Sequence, residues 1–482
     1  MVERAEPSFQ QKVADRALSL RGQRALSRAA ARLVSLLVLL AGDLIVLAFA
    51  VSVAVATRVS VLPALSHAFY EPTYPLSHYA ALGWIPLAYI GAMAYAGLYT
   101  RRDPYWEEVR RCLLGVTAGT ILVFAILSVA KSSNVASRPV VVLAWVILLI
   151  TLPIARGAVK EALFAAGPWR KRALLIGGTA TTEGLVDAFR RHRTLGYDVV
   201  EVISDPSAAP ERAVQLGASE VILATPDLER AQFLQLIERL RDVAENILIV
   251  PDLAEAPVLG VEVLGLMEDR ALLLRVPNNL LKPWNLALKR TFDLIVGGVL
   301  SIVLLPVIAA LAVAVKLDSP GPALHVEPRI GRKRHLFACY KLRTMHQDAD
   351  TLLDAYLNDH PEAALEWERY RKLRAYDPRV TRLGRVLRRT SLDELPQLIN
   401  VVRGEMSLVG PRPYLPLEMA MLEHDGMCGV RPGMTGLWQV SGKNALELRE
   451  RARLERWYAN NWSLWLDVIV LAKTVPVIAR SR

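Results

Sequence analysis

The spacing of apolar and polar positions divides this chain into blocks of different character. Four stretches near the N-terminus, roughly 33–57, 79–99, 112–130 and 139–155, are almost continuously apolar. Each is close to the ~20 residues that a helix needs to cross a ~30 Å hydrocarbon core. They predict a four-helix transmembrane bundle over residues 1–156, entered through a basic segment. Arg21, Arg24, Arg28 and Arg32 precede the first stretch, and Arg101, Arg102, Arg110 and Arg111 lie between the second and third. Arg156, Lys160, Arg170, Lys171 and Arg172 follow the fourth, while the other two loops are poor in such residues. Both ends of the bundle are therefore expected in the cytoplasm. Asp43, in "LLAGDLIVL", interrupts the first stretch. An ionised group at that depth is costly, so it is expected to face the bundle interior with a partner.

Beyond the bundle the pattern shortens. "RALLIGG", "ASEVILATP" and "ENILIVPD" are brief apolar runs separated by polar helical stretches, the signature of a parallel α/β sheet. They predict a Rossmann-like α/β cytoplasmic module over 157–283. Its glycine turn, "GGTATTEG", lacks the second glycine of GxGxxG, because Thr179 and Ala180 follow Gly177 and Gly178. That glycine is what lets backbone approach a pyrophosphate, so a structural or regulatory module is expected here rather than a dinucleotide site.

A fifth apolar segment, "DLIVGGVLSIVLLPVIAALAVAVK", runs from Asp293 to Lys316. As a helix it would be ~33 Å long, enough to cross. Basic residues flank it on both sides, however: Lys289 and Arg290 before, and Lys316, Arg329, Arg332, Lys333 and Arg334 after. Both flanks are thus expected on the cytoplasmic face. Pro306, near the middle, removes a backbone donor and favours a bend. A re-entrant membrane helix over 293–316, broken at Pro306, satisfies these observations together.

Composition agrees with segregated apolar blocks. The 482 residues are 53% hydrophobic and 22% charged, with mean hydropathy +0.28. The formal net charge of +11 fits a partner that carries phosphate. Cys112, Cys339 and Cys428 show no CxxC spacing, which excludes a disulfide scaffold and a thiolate zinc site. No cleavable signal peptide is expected, since about 30 residues precede the first apolar run.

Candidate chemistry concentrates in "DPRVTRLGRVLRRTSLDELPQLINVVRGEMSLVGPRP", where Arg379, Arg382, Arg385, Arg388 and Arg389 lead to Asp393 and Glu394. Three readings of the acidic pair compete. Ser391 and Glu394 stand in capping-box spacing; the pair could instead balance Arg388 and Arg389. In the third, Asp393 caps a helix, and Pro396 then falls in the first turn, where no donor is needed. That register places both carboxylates among backbone N–H groups and cations, a setting suited to phosphate. Nearby positive charge would keep a carboxylate ionised and nucleophilic. Adjacent helical positions point about 100° apart, so a shared-proton dyad is disfavoured. One carboxylate attacking phosphorus and the other holding a divalent cation is more natural, and magnesium needs few carboxylates when substrate phosphates contribute. On chemistry alone, catalysis and ion pairing both remain open.

From about Trp284 to the C-terminus the sequence resembles the bacterial sugar transferases, monotopic-type phosphoglycosyl transferases that move a hexose-1-phosphate onto polyprenyl phosphate. The resemblance rests on "KRTFD", "LDSPGPALHVEPRIGR", "FACYKLRTM", the arginine-to-proline stretch quoted above, "RPGMTGLWQVSGKN" and "YANNWSLWLDVIVLAKT". With the four preceding spans and the α/β module, the whole resembles the long, WbaP-like branch. The implied architecture is a membrane α-helical bundle, a Rossmann-like module and a mainly helical catalytic domain over 284–482 that carries the re-entrant helix. The resemblance implies Asp393 as nucleophile and Glu394 as the Mg2+ ligand, and matches the helix break at Pro306. It implies transfer from a UDP-sugar to undecaprenyl phosphate with release of UMP, at the bacterial cytoplasmic (inner) membrane, starting exopolysaccharide, capsule or O-antigen synthesis. The catalytic domain would lie in the cytoplasm. Galactose-1-phosphate is the branch's common choice and glucose-1-phosphate the next.

Within that reading Lys341, Arg343, Arg379, Arg388 and Arg412 are the expected phosphate contacts, and Trp438 and Gln439 the expected border of sugar or base. A second copy of the chain is a candidate partner; nucleic acid is not. One departure stands out: "HVEPRIG" carries His325 and Glu327 where an aromatic and a glutamine are commoner. Two other readings compete. A membrane-anchored NAD-dependent sugar-nucleotide dehydratase would need GxGxxG and a Y-x-x-x-K pair, and no tyrosine here is followed by lysine four positions on. A non-enzymatic scaffold or sensor would not need the intact "SLDELPQL".

Overall fold

The computed structural model describes residues 9–67, 74–129, 136–225, 228–241, 243–250, 262–266, 271–275, 279–370, 373, 376–416, 418, 429–442 and 448–480. Cys428 and the side chains of Arg21 and Arg24 lie outside the described residues. The chain forms two compact units, Met1–Asp252 and Leu253–Arg482.

In the first unit the opening apolar stretch is the second half of a 52-residue helix, α1 (Phe9–Ser60). The third and fourth stretches lie within α4 (Tyr105–Val129) and α5 (Arg138–Ala166). These three helices are long and apolar enough to cross a membrane. The second predicted span is divided instead, into α2 (Leu76–Ala81) and the 12-residue α3 (Trp84–Tyr95). Alone, α3 reaches only ~18 Å. Pro86 explains the division, because it offers no N–H to the carbonyl of Leu82 and its ring opposes a continuing helix. Asp43 does find its interior partners. It accepts from Arg156 Nη1 at 2.5 Å and from the Tyr99 hydroxyl at 2.6 Å. Arg156 Nε and Lys160 Nζ also reach Glu108, at 3.1 and 2.7 Å. Two acids and two bases thus balance inside the bundle, the condition under which buried charge is tolerated.

The α/β part is a four-stranded sheet of order β2-β1-β3-β4, with every neighbouring pair parallel. Its strands are β1 (Lys171–Gly177), β2 (Tyr197–Ile203), β3 (Glu220–Ala224) and β4 (Asn246–Ile249). Alternation along β1 sends Ala173 and Leu175 towards α6 (Thr179–Arg191). Leu174 and Ile176 face α7 (Ala209–Leu216) and α8 (Arg230–Arg241) on the other side. A Cβ on Gly177 would lie 2.3 Å from the carbonyl oxygen of Ala224. That glycine lets β1 and β3 close on each other, a packing reason for glycine at this position.

In the second unit, the antiparallel pair β5 (Glu262–Leu266) and β6 (Ala271–Arg275) precedes the 36-residue α9 (Pro283–Asp318). The helix continues through Pro306, so the predicted break does not separate two helices. A proline there removes a single donor and permits a bend within one helix. Ser301 Oγ donates to the carbonyl of Gly297, at 2.6 Å, and not to the Ile302 carbonyl that Pro306 leaves without its usual donor. Only 6% of the most apolar window of α9 is buried, yet both ends of the helix pack on the same domain. At its start Lys289 pairs with Asp467 at 2.8 Å, and Asp293 accepts from Ser407 Oγ and the Leu408 amide. At its end Val315 packs with Ala323, Leu342 and Leu387.

Candidate active site

The site is assembled on an antiparallel pair, β7 (Leu324–Ile330) and β8 (Leu336–Leu342), in which His325, Glu327 and Arg329 stand opposite Lys341, Cys339 and Phe337. Against β8 lies the segment that carries the acidic pair. α12 (Arg382–Thr390) begins at Thr381, whose hydroxyl accepts from the Gly384 amide at 2.9 Å, and ends at Ser391 with φ +57°. A 3-10 turn, Leu392–Gln397, then leads into α13 (Leu398–Arg403). (The helices α10, Ala349–Asp359, and α11, Pro361–Tyr370, lie between β8 and α12.)

This geometry corrects the capping expectations. Ser391 makes no side-chain cap bond, and Asp393 and Glu394 sit inside the 3-10 turn rather than at an α-helix start. Glu394 Oε1 is met by Lys341 Nζ at 3.0 Å. Arg388 Nε is held by Thr344 Oγ1 at 2.8 Å. Burial raises Asp393 to about 6, helped by the neighbouring Glu394, while Lys341 and Arg388 pull the other way. The expected effect of nearby cations is thus real but smaller than that of desolvation. Lys341, Arg388, Asp393 and Glu394 form one group.

The other expected contacts are placed differently. Arg343 donates through Nη2 to the carbonyl and hydroxyl of Ser319, at 2.7 and 2.9 Å, and so pins the end of α9. Arg379 is held by both oxygens of Asp377, at 2.8 and 2.7 Å, with its guanidinium 4.8 Å from the Trp367 ring. Burial would raise Asp377, but those bonds keep it below the usual carboxylate range. Arg412 lies at the other end of the strand pair. The Ile330 amide donates to the Tyr414 carbonyl, and Arg329 donates to that of Pro413. The strand rise puts this end about 14 Å from Lys341. The Arg412 guanidinium is 5.8 Å from the buried Trp438 ring, and Gln439 is the next residue.

Several residues that shape the site escape sequence reading. Glu455, on α14 (Leu448–Asn460), accepts from the Arg412 amide at 2.8 Å and from the Tyr414 hydroxyl. Burial raises it to about 7. In "RARLERWY" it reads as one charge in a solvated run. The available signal was the Pro–Arg–Pro doublet, which leaves Arg412 as the one backbone donor across those three positions. Among the described residues no group of three or more His, Cys, Asp or Glu side chains is spaced to hold a metal ion. Glu394, whose Oε1 alone is taken by Lys341, could hold a divalent cation together with substrate phosphate. That donor set suits magnesium.

The acidic pair, its neighbouring cations and a long apolar helix with little of its surface buried all belong to this one domain. Comparison with known proteins narrows the class. The model of the family described as bacterial sugar transferase matches residues 284–481. Undecaprenyl-phosphate galactose phosphotransferase of Salmonella typhimurium is 35% identical over 403 residues, 79% of this chain and 83% of that protein. UDP-glucose:undecaprenyl-phosphate glucose-1-phosphate transferase of Escherichia coli is 30% identical over 345 residues, 64% of this chain and 68% of that protein. The exopolysaccharide production protein ExoY of Rhizobium meliloti matches over 196 residues at 40% identity, 40% of this chain and 86% of its own length. The chain belongs to the bacterial sugar transferase family.

Proposed function

We propose that the protein transfers a hexose-1-phosphate from a UDP-sugar to undecaprenyl phosphate, releasing UMP. The observation that carries this reading is the grouping of Asp393 and Glu394 with Lys341 and Arg388 on one side of β8. In the first step an Asp393 carboxylate oxygen attacks the sugar-side phosphorus. The bond to the bridging oxygen breaks, and UMP leaves with the electron pair. In the second, an oxygen of the lipid phosphate attacks the same phosphorus and the carboxylate is restored. Lys341 and Arg388 offset charge on the phosphoryl oxygens. Magnesium on Glu394 would supply further charge neutralisation. The names of the similar proteins favour galactose, with glucose second, so the direct test is UMP release from a panel of UDP-sugars by purified protein with a polyprenyl phosphate acceptor. Release from none of them would remove the reading.

The pH profile follows from Asp393. The attacking form is the ionised one, and burial raises the carboxyl to about 6. The rate of UMP release is expected to fall as pH drops through about 6, well above the ordinary aspartate range near ~4. A profile that stays flat down to pH 5 would show that the nucleophile does not titrate there.

The α/β part is read as a Rossmann-like cytoplasmic module, and α9 as re-entrant. A simple span would put Asp293 and Val315 on opposite sides of the membrane, whereas both pack on the catalytic domain. The domain would therefore sit on the inner face of the bacterial cytoplasmic membrane, where UDP-sugars are made. A cysteine at Leu317, which is 83% exposed, tests this in a variant otherwise free of cysteine. It should be silent to an impermeant thiol reagent added from the periplasm; labelling from that side means the helix crosses.

A further inference from the structure

The departure in "HVEPRIG" has a definite place in the fold. Side chains two apart on a strand share a face, which puts His325, Glu327 and Arg329 together with Lys341 and Cys339 across the pair. The buried Cys339 thiol lies within electrostatic reach of Lys341, Arg329, Glu394 and Glu327. Glu327 therefore stands between the acidic pair and the Arg412 end of the site. Its Oε2 accepts from Arg329 Nε at 3.0 Å and from Arg329 Nη2 at 2.5 Å. The remaining nitrogen, Nη1, donates to the Pro413 carbonyl at 2.9 Å and is 3.8 Å from Glu418 Oε2. The other oxygen of Glu418 is 3.4 Å from Arg412 Nη2. Glu418 Oε2 is held by the Leu415 amide at 3.0 Å, while both arginine contacts are long, so one anchored carboxylate is shared loosely between two arginines.

We infer that Glu327 is a positioning residue, which governs how free Arg412 is to bind the diphosphate of the nucleotide sugar by keeping Arg329 off the shared Glu418. This rests on the reading that Arg412 contacts that diphosphate. With Glu327 in place, Arg329 is satisfied locally and Glu418 restrains Arg412. Glutamine at this position keeps an acceptor oxygen but removes the charge. Arg329 then turns its charge towards Glu418, and Glu418 releases Arg412. The loss of one negative charge near a bound diphosphate acts in the same direction.

The test compares E327Q, E418Q, the double variant and R412Q for KM and kcat with the UDP-sugar that the parent turns over. E327Q is expected to lower KM about threefold, the scale of a partly exposed ion pair. E418Q, which frees Arg412 directly, should lower it similarly. The double variant should fall short of the product of the two, because both act on one guanidinium. A role confined to holding the strands together predicts the opposite sign, with KM unchanged or raised and the melting temperature lowered. An R412Q variant with the parent KM overturns the contact by Arg412, and this inference with it. If R412Q raises KM while E327Q leaves it unchanged or raises it, only the positioning role of Glu327 is overturned.

Discussion

Asp393→Asn is expected to reduce turnover by about 10³-fold or more, as loss of a covalent nucleophile does, while the protein stays folded. The amide is close to the carboxylate in shape. It also removes a charge that burial and the adjacent Glu394 both disfavour at this position. The melting temperature should therefore match the parent's or exceed it slightly. A role confined to structure predicts the reverse pattern, with activity retained and stability moved. Near-parent UMP release by the asparagine variant, in detergent with magnesium, would end the assignment of Asp393 as nucleophile.

The second large effect is at Glu394. Glu394→Gln removes the charge that Lys341 meets at 3.0 Å. Both side chains are partly exposed, so the loss of stability should stay within ~1 kcal/mol. Turnover, in contrast, is expected to fall about 100-fold, the scale reported for altered metal-site partners and preorganised charge. The magnesium concentration giving half-maximal rate should rise with it. A variant as slow as predicted but with the parent's magnesium dependence would leave Glu394 as a partner of Lys341 and nothing more.

Much of this was legible in the residues, and the misreadings have physical causes. Apolar length located three of the four N-terminal helices, but length alone does not register that Pro86 divides the other. Asp43 was expected to find an interior partner, and Arg156 and Tyr99 provide it. The acidic pair was picked out by composition and order, yet its local backbone was misjudged. Pro396 was read as the first turn of an α-helix, whereas Ser391 enters the left-handed region and the chain tightens into a 3-10 turn. The arginines were the least readable. Spacing shows that Arg343 and Arg379 are close to the site in sequence. It does not show that Ser319 and Asp377 already hold them. Contacts such as those of Glu455 and Glu418 with Arg412 join positions whose side-chain partners the local pattern does not encode.

The central claim is a covalent sugar-phosphate on Asp393, and it can be measured without the lipid acceptor. Purified protein with magnesium and a UDP-sugar labelled on the sugar-side phosphorus should release about one equivalent of UMP and retain the label. Digestion should place that label on the peptide containing Asp393, and later addition of polyprenyl phosphate should discharge it. Label that never joins the protein, with UMP appearing only once the lipid is present, would contradict the account and point to direct transfer between the two substrates.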